Sequence, residues 1–278
     1  ALAAIAAAGG IASWMHGRAG ASAILAILAL GAPLLAAATL GKPAPWRIAV
    51  ATLSVVIFQA MLGMWTVTLL LKPVVVMGHL LGGLTTFALL SYVALRWSGV
   101  GADDARHARL RPLIVLGLVV LAAQIALGGW TSANYAALAC GNTFPTCLGQ
   151  WWPPTDFGEG FVLWRGIGVD YEGGVLDGPA RAAIQIAHRF GALVTFLYVG
   201  WLSGRLVRAG LRTSGRVLGA ALLVQVALGI ANVVLWLPLP VATAHVAVAV
   251  VLLFMLIQSL ARTQPRDGRA TPGMMPSP

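Results

Sequence analysis

Long apolar runs separated by short polar or helix-breaking segments make up most of this chain. A transmembrane helix needs about 20 consecutive apolar residues to cross roughly 30 Å of hydrocarbon. The runs that meet this requirement predict an all-α integral membrane protein. We expect about seven spans, at residues 11–38, 48–70, 74–95, 113–132, 182–203, 217–237 and 241–261.

Four of these runs contain a solitary histidine near their start: His16, His79, His188 and His245. The last three lie 5 to 7 residues beyond the nearest polar or helix-breaking residue, which is about 8–10 Å at the rise of an α-helix. An ionisable residue inside a span marks a functional site by default. One such histidine could be a hydrogen-bonded packing residue, but four at matched depth favour two bis-imidazole haem-iron sites.

The order of these elements repeats along the chain. Each half contains a histidine helix, a second helix, a tight turn and another histidine helix, with histidine separations of 63 and 57 residues. This predicts a duplicated four-helix bundle, a plan common among membrane proteins built from repeats. We assign an N-terminal half-bundle to residues 1–110 and a C-terminal half-bundle to residues 111–278, the latter with a long loop at 133–179.

A second motif, Gln-x-x-Leu-Gly, occurs three times, starting at Gln59, Gln124 and Gln225. A buried glutamine can bond across helices and a glycine allows helices to approach closely, so the motif could serve packing alone. Alternatively, the glutamines could form a polar ring beside the cofactors. The sequence leaves both explanations open.

Composition supports the membrane assignment: 59% of the 278 residues are hydrophobic and only 9% are charged, against about 25% charged in soluble domains. The net charge of +10 could suggest nucleic-acid binding, but the distribution of the charge excludes that class. Basic residues concentrate in alternate loops and the C-terminal tail, a pattern that places that side in the cytoplasm. We therefore expect a multi-pass protein of the bacterial inner membrane, with a cytoplasmic C-terminus and its histidines toward the extracytoplasmic side. His107, in a cytoplasmic loop, is predicted to be an ordinary solvated residue.

The long loop contains both cysteines, Cys140 and Cys147. Two cysteines with no other Cys or His in the loop cannot complete a tetrahedral metal site, and outside the cytoplasm a pair is typical of a disulfide. Either a structural clip or a redox role is compatible with this spacing. Trp151 and Trp152, which follow, suit an interfacial lid over the haem sites.

Two arginines lie close to histidines: Arg18 follows His16 and Arg189 follows His188. Each guanidinium could pair with haem propionates, which prefer forked cationic partners. Each could instead extend to the membrane interface while its stem stays in hydrocarbon.

Several segments resemble the haem A synthase family. They are Trp130 to Cys140, Phe144 to Pro153 with its Cys-to-Trp-Trp-Pro sequence, Ile186 to Gly191, and Leu62 to Pro73 followed by His79. The resemblance extends over almost the whole chain from about Trp14. It implies a fold of eight helices in two four-helix halves, and the oxidation of the C8 methyl of haem O to a formyl group, which completes haem A for cytochrome oxidase. It further implies that His188 and His245 hold a resident haem b, whereas His16 and His79 face the substrate haem O.

Two departures from the family pattern affect this expectation. The family's first helix and first outer loop have no counterpart, which predicts an N-terminally truncated or divergent member. Family members also carry a glutamate three residues before the first histidine, where this chain has Ser13. A serine cannot replace a carboxylate as a base or as a charge stabiliser. Either another acid, such as Asp156 or Glu159 of the loop, takes that role, or the substrate half is impaired.

We therefore predict a haem A synthase-like membrane oxidoreductase. Its expected partners are the lipid membrane, a haem O synthase that supplies its substrate, and further copies of the same chain in a homo-oligomer. The main alternative is a non-enzymatic haem-binding cytochrome that carries electrons or haem. A transporter is the third candidate, but it should show helices broken at the membrane midplane, and these spans instead place their histidines near one face.

Overall fold

The computed structural model describes residues 44–102 and 105–265. The predicted span at 11–38 lies outside these residues, together with Ser13, His16 and Arg18. The described residues form six long helices: α1 Ala44–Thr68, α2 Pro73–Trp97, α3 Arg111–Ala133, α5 Gly178–Arg208, α6 Arg212–Val234 and α7 Leu239–Ala261. A 3-10 helix, Ala105–Leu110, precedes α3, and the one-turn helix α4, Phe157–Gly160, lies within the long loop.

All six long helices have the length and composition needed to cross a membrane. They confirm the six predicted spans that fall within the described residues, and the chain is a multi-pass membrane protein. The largest difference concerns α5, which has 31 residues where the sequence predicted a span at 182–203. Its early start has a local cause: the Asp177 carboxylate accepts a hydrogen bond of 2.9 Å from the Ala180 N–H, and Pro179 occupies the first turn, where its missing N–H costs nothing.

Four helices, α3, α5, α6 and α7, form a closed ring. Helix α3 packs against α5 and α7, and α6 packs between α5 and α7. The α1–α2 pair joins this ring through α2, which contacts α3 and α7. The ring falls within the predicted C-terminal half-bundle, whereas the proposed division of the chain at residue 110 stays a prediction.

The turn after α1 and the turn after α6 have the same backbone structure. Each contains two successive residues with positive φ, between 51° and 61°, and each is closed by matching backbone hydrogen bonds to the end of the preceding helix. One offset of 166 residues relates Leu71 to Leu237 in the turns and His79 to His245 in the following helices. The helix pairs α1–α2 and α6–α7 are therefore structural repeats in register.

The two ends of the bundle differ in packing. We call the end that carries the loop 134–177 the histidine end, and the opposite end the arginine end, since it carries Arg96, Arg109, Arg111, Arg205, Arg208, Arg212 and Arg262. The main cluster of buried apolar side chains lies toward the arginine end of the four-helix ring and includes Ile114, Leu202, Leu206, Leu218, Leu252 and Leu256. Burial of these side chains holds the ring together. The histidine end of the ring lies outside this cluster.

Candidate functional site

The three glutamines of the repeated motif lie at one level of the bundle. Gln59, Gln124 and Gln225 each precede the last residue of their helix, at Thr68, Ala133 and Val234, by nine residues. Each then contacts the histidine of the next long helix, so the histidines share this level as well.

Between α1 and α2, the side-chain amide of Gln59 donates a hydrogen bond of 2.6 Å to the backbone carbonyl of His79. The glycine of the same motif lies against the imidazole: a Cβ placed at Gly63 would be 3.1 Å from Cε1 of His79. The glutamine therefore ties the two helices together, and the glycine admits the ring between them.

The same arrangement joins α3 to α5. The Gln124 Nε2 atom lies 3.1 Å from the His188 carbonyl oxygen and 3.1 Å from Nδ1 of the same residue. A Cβ at Gly128 would lie 3.2 Å from the imidazole Cε1. These contacts orient the ring and leave its second nitrogen, Nε2, for another partner.

The same contacts of a glutamine and a glycine with a histidine occur a third time, between α6 and α7. Gln225 Nε2 lies 3.2 Å from Nε2 of His245, and a Cβ at Gly229 would lie 3.1 Å from Cε1 of this ring. The other nitrogen of His245, Nδ1, is buried and has no hydrogen-bond partner among the described residues. The motif therefore acts both in packing and as a polar contact to a histidine.

Buried side chains are missing from one layer of the four-helix ring. Within the described helices, none of the residues at 122–128, 186–194, 223–232 and 239–251 is buried, although leucines are packed tightly below them. This layer contains His188 and His245, and His188 lies within electrostatic range of both His245 and Arg189. Two imidazoles in a layer where no residue is fully buried suit a flat macrocycle with two axial ligands.

His79 occupies the equivalent place on α2 and is exposed. Its predicted partner, His16, lies outside the described residues. The structure therefore brings His188 and His245 together, and it places His79 at the matching level on the neighbouring helix pair.

We expect Gly229→Ala to lower the haem content of the purified protein, because the added methyl would lie 3.1 Å from the His245 ring and displace it. Overpacking of this kind typically costs about 1–3 kcal/mol. The haem-to-protein ratio measures the effect. Gly200→Ala on α5 is the control, since its Cβ would meet only Leu222 at an ordinary 3.7 Å. Equal loss of haem in both variants would contradict the proposed role of Gly229.

The loop carries the predicted disulfide, which joins Cys140 to Cys147. Both cysteines are buried and pack against Ala182 and Ile186 of α5. These two residues lie four positions apart and so share one face of the helix. The disulfide ring therefore rests on the same helix that carries His188.

Arg189 attaches this ring to α5. Its guanidinium donates hydrogen bonds to the carbonyls of Thr143, at 3.1 Å, and Thr146, at 2.8 Å. Its Nε atom is buried without a partner. The structure thus gives Arg189 a role in holding the loop beside His188, and a contact from Arg189 to a haem propionate stays a prediction.

The rest of the loop is fixed by polar contacts. The Trp130 indole donates a hydrogen bond of 2.9 Å to the carbonyl of Gly160. The Asp156 carboxylate caps α4 by accepting a hydrogen bond of 2.9 Å from the Glu159 N–H. The Glu159 side chain forms an ion pair of 2.7 Å with Arg165. Both carboxylates proposed as substitutes for the family glutamate therefore have structural partners. The predicted lid residues, Trp151 and Trp152, are exposed on the loop surface.

One further residue, at the histidine end, was not among the predicted site residues. Lys72, the residue before α2, is 1% exposed, and its ammonium lies 3.5 Å from the centre of the Trp164 ring. The spacing contained a signal, because Lys72 precedes His79 by seven residues, as Arg181 precedes His188.

Comparison with known proteins identifies the family of the chain. Residues 6–257 match the COX15-CtaA family, described as cytochrome oxidase assembly protein. The heme A synthase of Shewanella oneidensis is 43% identical over 217 residues, which are 77% of this chain and 66% of that protein. The heme A synthase of Methylobacterium radiotolerans is 34% identical over 61% of this chain and 46% of that protein, so the chain spans between about half and two-thirds of these relatives. The chain belongs to the COX15-CtaA family of cytochrome oxidase assembly proteins.

Proposed function

We propose that this protein is a haem A synthase, which oxidises the C8 methyl of haem O to the formyl group of haem A. Family membership and the heme A synthases among its relatives support the activity. The observation that carries the proposal is the shared level of His79, His188 and His245, each held by a glutamine and a glycine of the preceding long helix.

His188 and His245 would hold a resident haem b in the four-helix ring. The fit is supported by the unpartnered Nδ1 of His245 and by the layer without buried side chains around both histidines. A bis-imidazole haem supplies one-electron transfer when bound. The chain's own contribution is to orient both imidazoles through Gln124 and Gln225 and to exclude water with the disulfide loop that Arg189 holds in place.

The substrate, haem O, would bind in the N-terminal half between His16 and His79. The contact from Gln59 to the His79 backbone fixes this position on α2, and the exposure of the His79 ring leaves it free to meet a large ligand. Ser13 and Arg18 belong to the same half by sequence, and both lie outside the described residues. A haem O synthase that delivers the substrate and a homo-oligomeric assembly complete this proposal.

The protein would lie in the bacterial inner membrane with its histidine end on the extracytoplasmic side. The collection of arginines at the opposite ends of α2, α3, α5, α6 and α7 supports this orientation through the positive-inside rule. A disulfide at the histidine end is consistent with that side, because disulfides persist in oxidising compartments.

One observation favours a second candidate, a haem-binding cytochrome without oxidase activity. Ser13 stands where the family has a glutamate, and a serine lacks the charge that could assist oxidation of the methyl group. In that case the C-terminal site would bind haem b as described, and the N-terminal half would bind haem without changing it.

Pigment analysis after supplying haem O distinguishes the two functions. We expect membranes that contain the wild-type chain to form haem A, and the His79→Ala variant to form none while retaining its haem b, because His188 and His245 are untouched. Extracted pigments separated by chromatography give the measurement. Haem b without any haem A in the wild type would instead support the cytochrome.

A further inference from the structure

Lys72 is a buried cation without a hydrogen-bonding partner. Its side chain is 1% exposed, and its ammonium forms no hydrogen bond in the part of the chain that the structure describes. The ammonium lies against the face of Trp164, 3.5 Å from the ring centre, and this face offers no lone pair to the three N–H donors of a lysine. Loss of water around the ammonium also lowers the pKa of Lys72. Such a cation is costly unless an acceptor joins it.

The structural repeat shows that the turn does not require this lysine. The offset of 166 residues that matches Leu71 to Leu237 places Pro238 at the position of Lys72. Both turns close with matching hydrogen bonds and with two successive positive φ values between 51° and 61°. Lys72 provides no side-chain cap to α2. Its burial therefore calls for a reason other than the backbone geometry.

The position of Lys72 relative to His79 suggests that reason. Seven residues separate them, about 10 Å along a helix axis, with the lysine toward the histidine end. In the C-terminal half, Arg181 stands at the same distance before His188, and its Nε atom is also buried without a partner. Each half therefore has one cation about two helical turns outward from a histidine.

The loop of the C-terminal half covers this lysine. The backbone N–H of Tyr171 donates a hydrogen bond of 3.1 Å to the carbonyl of Leu70, and Tyr171 is itself buried. Trp164, which is largely exposed, lies over the ammonium. An anion beside Lys72 would thus lie under the loop, shielded from water, where a charge-assisted hydrogen bond is strong.

We propose that Lys72 binds a propionate carboxylate of the porphyrin in the N-terminal half and so sets how deeply that porphyrin enters between the helices. This inference rests on the proposed function, since it takes the ligand beside His79 to be a haem. The shared chemistry is an anionic oxygen group, which an anionic lipid headgroup could also offer, and the test separates the two sources.

The experiment compares two probes: iron protoporphyrin IX, and its dimethyl ester, which lacks the carboxylate charges. Each is titrated into purified protein that already carries its resident haem, and binding is followed by the absorbance change. We expect the wild type to bind the free acid about 10- to 100-fold more tightly than the ester, the range for a hydrogen bond to a charged group. Lys72→Met should bind both probes equally, and Lys72→Arg should restore most of the preference.

Two controls make the result specific. Arg165→Gln removes a cation from the same loop, where Arg165 already pairs with Glu159 at 2.7 Å, and should keep the preference. His79→Ala should abolish the absorbance change, and a titration unaffected by His79→Ala would refute the proposed substrate site itself. A preference for the free acid that survives Lys72→Met overturns the inference while leaving the proposed function intact. So does a Lys72→Met effect that appears only in nanodiscs with anionic lipid and is equal for both probes, since that would assign the lysine to a lipid.

Discussion

Replacing His188 by alanine is expected to remove the low-spin b-type haem signal from the purified protein. The imidazole is one of two proposed axial ligands, and its ring is already oriented by Gln124 and Gly128. Loss of a supporting partner of a metal ligand typically weakens binding about 10–100-fold, so loss of the ligand itself should exceed that range. The reduced-minus-oxidised absorbance spectrum measures the effect.

His245→Ala should have the same consequence, because His245 and His188 lie in the same layer of the four-helix ring. The matched control is His107→Ala. His107 lies at the arginine end, where its Nε2 is 3.1 Å from the carbonyl of Ala209, and its replacement should leave the spectrum unchanged. Persistence of the b-type signal in both His188→Ala and His245→Ala would eliminate this pair as the haem ligands.

Introducing a carboxylate at the family position, Ser13→Glu, is expected to increase the rate of haem A formation about 10²- to 10⁴-fold, the usual size of acid–base or electrostatic assistance. The physical reason is that, in the proposed reaction, a carboxylate at the family position would supply the negative charge that a serine lacks. Haem A formed per unit time from supplied haem O is the measurement. Ser13→Gln is the matched control, since it has the size of glutamate without its charge.

The loop carboxylates test the competing explanation. Asp156 caps α4 and Glu159 pairs with Arg165, so we expect Asp156→Asn and Glu159→Gln to leave the rate of haem A formation nearly unchanged. If either substitution abolished an otherwise rapid reaction, and Ser13→Glu had no effect, the catalytic carboxylate would belong to the loop.

Much of the site could be predicted from the sequence because its signals are local. The depth of a histidine in a span depends only on the number of residues after the last helix breaker, so the level of His79 and His245 followed from Pro73 and Pro240. The predicted disulfide between Cys140 and Cys147 was also correct, since both cysteines lie in one short segment. The start of α5 was placed too late, although Asp177 and Pro179 are a local helix-start signal.

Contacts between distant segments could not be predicted in this way. The sequence identified the glutamine and histidine motifs, but only helix packing decided that Gln124 contacts His188, 64 positions away. The sequence offered Arg189 a haem propionate or the membrane interface as partners, and only the fold shows that its guanidinium also binds the carbonyls of Thr143 and Thr146. These partners depend on how the loop folds back onto α5, which no local pattern encodes.

The burial of a charged side chain is the clearest example of a feature that could not be predicted from the sequence. By sequence Lys72 is one basic residue before a proline, and its contact with Trp164 spans 92 positions. The hydrophobic pattern by itself determined that the chain crosses the membrane and how deep its histidines lie, because hydrocarbon acts on each helix separately. Only the tertiary structure decided which nitrogens, carbonyls and cations meet at that depth, because those contacts depend on how helices far apart in the chain pack together.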